Sequence, residues 1–152
     1  MNQVEISLEG VESVGWIEEA RGFALAALEK AGKDSWDLSV LFCDDGFIRG
    51  LNRQYRDRDE ATDVLSFEQG SVYRDPEGAE RILAGDIVIS LDALARNSTD
   101  FGVPRDEELK RLIVHGILHL SGMDHEDNDA TRPMLELQEK LLAELGDRGR
   151  IL

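Results

Sequence analysis

The sequence predicts an α+β fold: a small mixed four-stranded sheet packed with about five helices. Three observations carry that expectation. Four short segments read as strands: VEISL (4–8), LSVLFC (38–43), VLSF (64–67, with Asp63 ahead of it) and GDIVIS (85–90). Longer segments place apolar residues every three or four positions, as a helix packed on one side requires. Strands and helices interleave without the regular strand–helix–strand rhythm of a parallel α/β protein.

Taken in order, the VEISL strand alternates apolar and polar residues. Ser13 is a candidate N-cap for a helix whose apolar stripe holds Trp16, Ile17, Ala20, Phe23, Ala24, Ala27, Leu28 and Ala31, ended by Gly32. LSVLFC is followed by a helix from about Asp45 to Tyr55. Between VLSF and GDIVIS, the stretch EQGSVYRDPEGAERILA (68–84) reads as an excursion, with a turn at Asp75-Pro76-Glu77-Gly78. A short helix is expected over Leu91 to Asn97. Pro104 suits the first turn of the next helix, where Asp106, Glu107 and Glu108 complement the positive end of its dipole. That helix runs to about Leu120, and its LIVHGILHL segment, apolar almost all round, marks it as buried. The last helix opens near Asn128 to Thr131, carries Met134, Leu137, Leu141 and Leu145 on one face, and stops at Gly146.

The 152 residues are expected to form one domain (1–152), since no repeat, low-complexity block or linker divides them. Apolar content of 41% and charged content of 32% are those of a globular protein. No apolar run reaches the roughly 18 residues of a membrane span, and the start MNQVEISLEG lacks the basic and apolar regions of a secretion signal. The lone Cys43 permits no internal disulfide and reads as a buried small apolar residue. A cytoplasmic protein is therefore expected. With 17 basic and 32 acidic residues the formal charge is -15, which repels nucleic acid unless a local basic feature overrides it.

The stretch HGILHLSGMDH (115–125) holds all three histidines of the chain. His115 and His119, four apart on a helix, point from one face. Gly122 offers the left-handed turn that ends a helix, so that His125 can approach from the side. Three protein ligands with one open position describe a catalytic zinc site rather than a closed structural one. The spacing matches the HExxHxxGxxH of zinc peptidases, but Gly116 stands where their glutamate removes a proton. Gly116 leaves room for a bulky phosphate or packs closely on a strand; Asp124 accepts from a ligand N–H or serves a turn. Without that glutamate, peptide hydrolysis by the usual route is disfavoured.

Arg49, Arg53 and Arg56 recur at i, i+4 and i+7 and line one helix face, with Ile48, Leu51 and Tyr55 toward the core. This is the local basic feature that the charge balance demands, and guanidinium groups suit phosphates. The alternative is a solvated face paired with Asp57 and Asp59.

HGILHLSGMDH resembles the HGxLHLxGYDH signature of the YbeY family. LNRQYRDRDEATDVLSF (51–67) is similar to that family's LNxxYRxxDxPTDVLSF block, and AGDIVIS (84–90) to its LGDIVIS strand. Met123, Ala61 and Glu68 depart from the tyrosine and prolines common there; none is a metal ligand. The resemblance implies a metal-dependent endoribonuclease specific for single-stranded RNA, acting in ribosomal RNA maturation (the 16S 3′ end) and ribosome quality control. It implies His115, His119 and His125 as ligands of one Zn2+, and Arg56 as the functional arginine. Partners so implied are rRNA and the small ribosomal subunit with its proteins, with neither membrane nor DNA. Two other readings keep the zinc: an assembly factor without catalysis, its acidic surface facing basic ribosomal proteins, and a divergent zinc peptidase.

Overall fold

The computed structural model describes residues 1–122, 128–146 and 151–152. Along the chain these form β1 (Gln3–Glu9), α1 (Ile17–Lys30), β2 (Trp36–Cys43), α2 (Asp45–Arg56), β3 (Val64–Arg74), β4 (Glu80–Ser90), α3 (Leu91–Phe101), α4 (Arg105–Leu120) and α5 (Asn128–Leu145). The expected α+β class holds: the strands make one mixed sheet in the order β1-β2-β4-β3, with β1, β2 and β4 parallel and β3 antiparallel at the edge.

Strand alternation divides the sheet into two unlike faces. Val4, Leu38, Val40, Phe42, Ile87 and Ile89 point to one side, where α1, α4 and α5 close the main core with Phe23, Ile113, Ile117, Met134 and Leu141. On the other side Leu65 and Val88 meet Ile48, Phe47 and Leu51 of α2. Among the described residues, only α2 covers that second face.

Two glycines let neighbouring elements of the sheet and α4 approach closely. A Cβ on Gly116 would lie 2.7 Å from Ile87 Cδ1, so α4 crosses β4 backbone-close at this point. Of the two roles expected for Gly116, this is close packing on a strand. Gly85 has φ 137°, and a Cβ there would lie 2.1 Å from the Phe67 carbonyl oxygen, beside the register shift in the β3–β4 pairing.

Some elements differ from the sequence expectation. Ser13 does not cap α1; the helix starts after Trp16, without a side-chain cap bond. Its entry is fixed instead by the Trp16 ring, edge-on to Phe42 at 4.9 Å. The end is as expected: Gly32 has φ 77°, and the bonds Lys33 N–H to Leu28 O and Gly32 N–H to Glu29 O complete a left-handed terminus. The excursion over 68–84 is a continuation of both strands, with Val72 opposite Ile82 and Arg74 opposite Glu80. The turn lies where expected, its Asp75 Oδ1 accepting from the Glu77 and Ala79 amides. Its arms carry few apolar residues, and the ladder is anchored by Arg81, 7% exposed, which grips Asp37 Oδ1 at 2.6 Å while Tyr73 donates to the same carboxylate. Helix α3 runs four residues beyond Asn97, to the left-handed Gly102. Pro104 precedes α4 as its N-cap rather than sitting in its first turn.

Candidate metal centre

Helix α4 carries nine buried residues, Leu109, Ile113, Ile117 and Leu120 among them, and is the central helix of the main core. His115 and His119 are half-buried on it. Their rings stand 4.6 Å apart between centroids, and the two Nε2 atoms converge to 3.0 Å. Two imidazoles on one tetrahedral ion, at metal–nitrogen distances of about 2.0–2.1 Å, place their nitrogens about 3.3 Å apart. The pair therefore fits two positions on one divalent cation with a shift of a few tenths of an ångström.

Gln138 of α5 fixes the first ring. Its Oε1 lies 2.9 Å from His115 Nδ1, so Nδ1–H donates to it and the His115 lone pair is presented at Nε2. His119 Nε2–H is then the donor in the contact between the rings. Ligating a cation through both Nε2 atoms requires His119 to lose that proton or carry it on Nδ1. Gln138 is 4% exposed, which makes its amide a rigid support. Sequence reasoning missed it; the available signal was a glutamine at i+4 from Met134, within the apolar stripe of α5.

Gly122, φ 90°, follows α4 with its amide bonded to His119 O, so the expected left-handed turn is present. Met123, Asp124 and His125 lie outside the described residues. Among the described residues, no group of three or more His, Cys, Asp and Glu is arranged to hold a metal ion.

Arg56 ends α2. Its Nη2 donates to Ser66 O at 2.9 Å, and its guanidinium carbon lies 5.0 Å from the centre of the Phe67 ring. The arginine thus reaches from the α2 side to the edge strand, while the histidines lie on the helix over the opposite face. The α2 arginine face is only partly available. Arg49 forms a two-pronged pair with Asp59, at 2.9 and 3.3 Å, whereas Asp57 serves as the left-handed C-cap. Tyr55 does not turn to the core as expected but is 56% exposed, because its ring leans edge-on against Phe67 at 5.3 Å.

A second polar group on α4 was also missed. Glu108, two turns before His115 on the same side, is 2% exposed. Its Oε2 accepts from Asn97 Nδ2, and the same amide donates to Asp63 Oδ2, both at 3.1 Å. Glu108 Oε1 has no hydrogen-bond partner among the described residues and lies 3.7 Å from Arg111. Burial above all, with the neighbouring Asp63 charge, holds its carboxyl above the usual range. Cys43 is inert by the same physics: burial and three nearby aspartates push its thiol up to about 12.

Fold and site together define a mixed-sheet α+β protein with a supported imidazole pair on its central helix. The chain belongs to the YbeY family, whose model, described as Endoribonuclease YbeY, matches residues 2–146. It is 54% identical over 143 residues to the Endoribonuclease YbeY of Treponema denticola, covering 93% of this chain and 92% of that one. The Treponema pallidum (Nichols) protein of the same name is 49% identical over 144 residues, covering 95% and 90%. That of Aquifex aeolicus is 44% identical over 130 residues, covering 85% and 81%. A solution structure of a Thermotoga maritima protein superposes with a TM-score of 0.57 at 25% identity, covering 95% of this chain and 93% of that one. No helix among the described residues is long and apolar enough to cross a membrane.

Proposed function

We propose that this protein is a metal-dependent endoribonuclease that cuts single-stranded RNA in the cytoplasm. Its substrate is ribosomal RNA, and it acts on the small ribosomal subunit at the 16S 3′ end in maturation and quality control. The observation that carries the reading is the convergence of two Nε2 atoms at 3.0 Å on the central helix, in a chain 54% identical to a protein named an endoribonuclease. His115, His119 and His125 are the residues that hold the ion, with zinc the first choice for an all-imidazole set. A bound divalent cation supplies Lewis acidity toward a phosphoryl oxygen.

The protein's own groups do the rest. Gln138 keeps the His115 lone pair on Nε2, so this ligand needs no rearrangement. Arg56 spends one of its five N–H donors on Ser66 O and offers others to a phosphate of the bound strand at the β3 edge, on the α2 side of the sheet, where it holds the substrate. Gly116 disfavours peptide hydrolysis: Ile87 fills the space into which a glutamate would start.

Purified protein incubated with single-stranded RNA should cleave it, lose cleavage on chelation, and regain it with added zinc or another divalent ion. Arg56→Ala should slow cleavage by about 10–100-fold, the loss of one charge-assisted hydrogen bond to the strand, with an unchanged circular dichroism spectrum, and Arg56→Lys should restore part of the rate. Cleavage indifferent to chelator, or intact in Arg56→Ala, would point to a contaminating nuclease. A bound ion with no cleavage of any RNA would leave the role of an assembly factor.

A further inference from the structure

The second face of the sheet is open beyond α2, and a groove of about 440 Å³ lies there, bordered by Tyr55, Phe47, Phe67, Leu41, Ser39 and Asp86. That volume is within the range of small-molecule sites, about 300–1,000 Å³. From its lining we infer that the groove is a base-binding pocket: it takes a guanine of single-stranded RNA, stacked on the Tyr55 ring and read by the Asp86 carboxylate. The inference rests on the RNA reading proposed above and adds where, and by what chemistry, one base of the substrate is recognised.

Tyr55 is the first argument. More than half exposed on a strongly charged helix, it is nevertheless held in place, its ring edge-on to Phe67. A solvent-facing ring buttressed by a second is a surface on which a nucleobase stacks. Phe67 also carries the Arg56 guanidinium 5.0 Å from its centre, which places phosphate-binding donors beside the stacking surface.

The polar atoms supply the second argument. Among the six residues named above, Asp86 is the one charged side chain and Ser39 adds a hydroxyl. A carboxylate accepts two N–H groups at once, and guanine presents two adjacent donors, N1–H and the 2-amino group, on its Watson–Crick edge. Adenine, cytosine and uracil each place an acceptor beside their donor there and would leave an oxygen facing a lone pair.

Charge decides between RNA and a basic protein segment. The trough continues past Asp86 toward the exposed Glu5, where a phosphate would be repelled. The strand backbone must therefore stay on the arginine side of α2, with only a base turned inward. A lysine- or arginine-rich peptide would meet Arg56 at the same mouth.

The test is equilibrium binding of fluorescent hexamers to the full chain, in chelator so that no cleavage occurs. Oligouridine is compared with hexamers carrying one central guanine, inosine or adenine. Guanine should bind about tenfold tighter than inosine, which lacks the 2-amino group. Asp86→Asn should abolish that preference while keeping oligouridine affinity, and Tyr55→Ala should weaken every hexamer about tenfold. Both side chains are exposed, and thermal melts check that the variants fold. RNA bound with the guanine preference intact in Asp86→Asn, or with affinity unchanged in Tyr55→Ala, would overturn the pocket and leave the endoribonuclease reading standing. No binding of any hexamer, in chelator or with Zn2+ restored, would overturn that reading as well. An oligolysine peptide bound through Asp86, with no effect on RNA, would assign the groove to a basic protein instead.

Discussion

His115→Ala is expected to lower cleavage of single-stranded RNA by about a thousandfold or more. Lewis-acid stabilisation of a transferring phosphoryl group is worth several kcal/mol, and each ~1.4 kcal/mol is a factor of about ten in rate. The histidine supplies one of two nitrogens that already stand 3.0 Å apart, so its loss removes a preformed half of the described pair. The effect on the fold is smaller. His115 is half-buried, and its removal takes from Gln138 Oε1 its contact at 2.9 Å, a cost of about 1–3 kcal/mol. Single-turnover cleavage, measured with a thermal melt on the same preparation, separates the two. Near-normal cleavage by a folded variant would mean that this ring takes no part in the chemistry.

The largest effect on stability is expected at Gly85. Alanine there would place its Cβ 2.1 Å from the Phe67 carbonyl oxygen, at a φ of 137° that side chains rarely adopt. Backbone must move, and the residues that would move are β3 and β4, which carry Phe67 on one face and Ile87 beneath α4 on the other. Urea denaturation of Gly85→Ala should show a loss of about 3–5 kcal/mol, in the range of severe overpacking added to backbone strain. Gly50→Ala is the control. It lies inside α2 with nothing within 4 Å of its Cβ, and helix propensity makes alanine there stabilising by up to about 1 kcal/mol. Equal effects of the two substitutions would contradict the packing described here.

The sequence is most legible where burial is one-sided. β2 alternates between the α4 side and the α2 side in its burial as in its residues, so its period could be read directly, and the buried α4 announced itself by its apolar run. What escaped was held by polar contacts between distant residues. The arms of the β3–β4 hairpin pair by backbone and by Arg81 on Asp37, 44 residues apart, and no local period encodes that. The long α3 depended on a glycine terminus at Gly102 rather than on an apolar stripe. The candidate site divides the same way. The helix spacing foretold that His115 and His119 share a face, whereas the role given to Arg56 rests on the resemblance alone. Gln138 and the Glu108–Asn97–Asp63 group could be found only once α5, α3 and the head of β3 were placed against α4. Tyr55 was misread because a helix position facing the sheet was taken as buried, although α2 leaves part of that face uncovered.

The central claim is that imidazoles of this chain bind one divalent cation. Titration of metal-stripped protein with Co2+, followed by visible absorption, tests it most directly, because cobalt in a nitrogen-rich tetrahedral site absorbs visibly and replaces zinc without changing the ligands. The expected result is saturation at one ion per chain, loss of the signal in His115→Ala and in His119→Ala, and displacement by one equivalent of Zn2+. A flat titration of folded wild-type protein, or one unaltered in both variants, would contradict it.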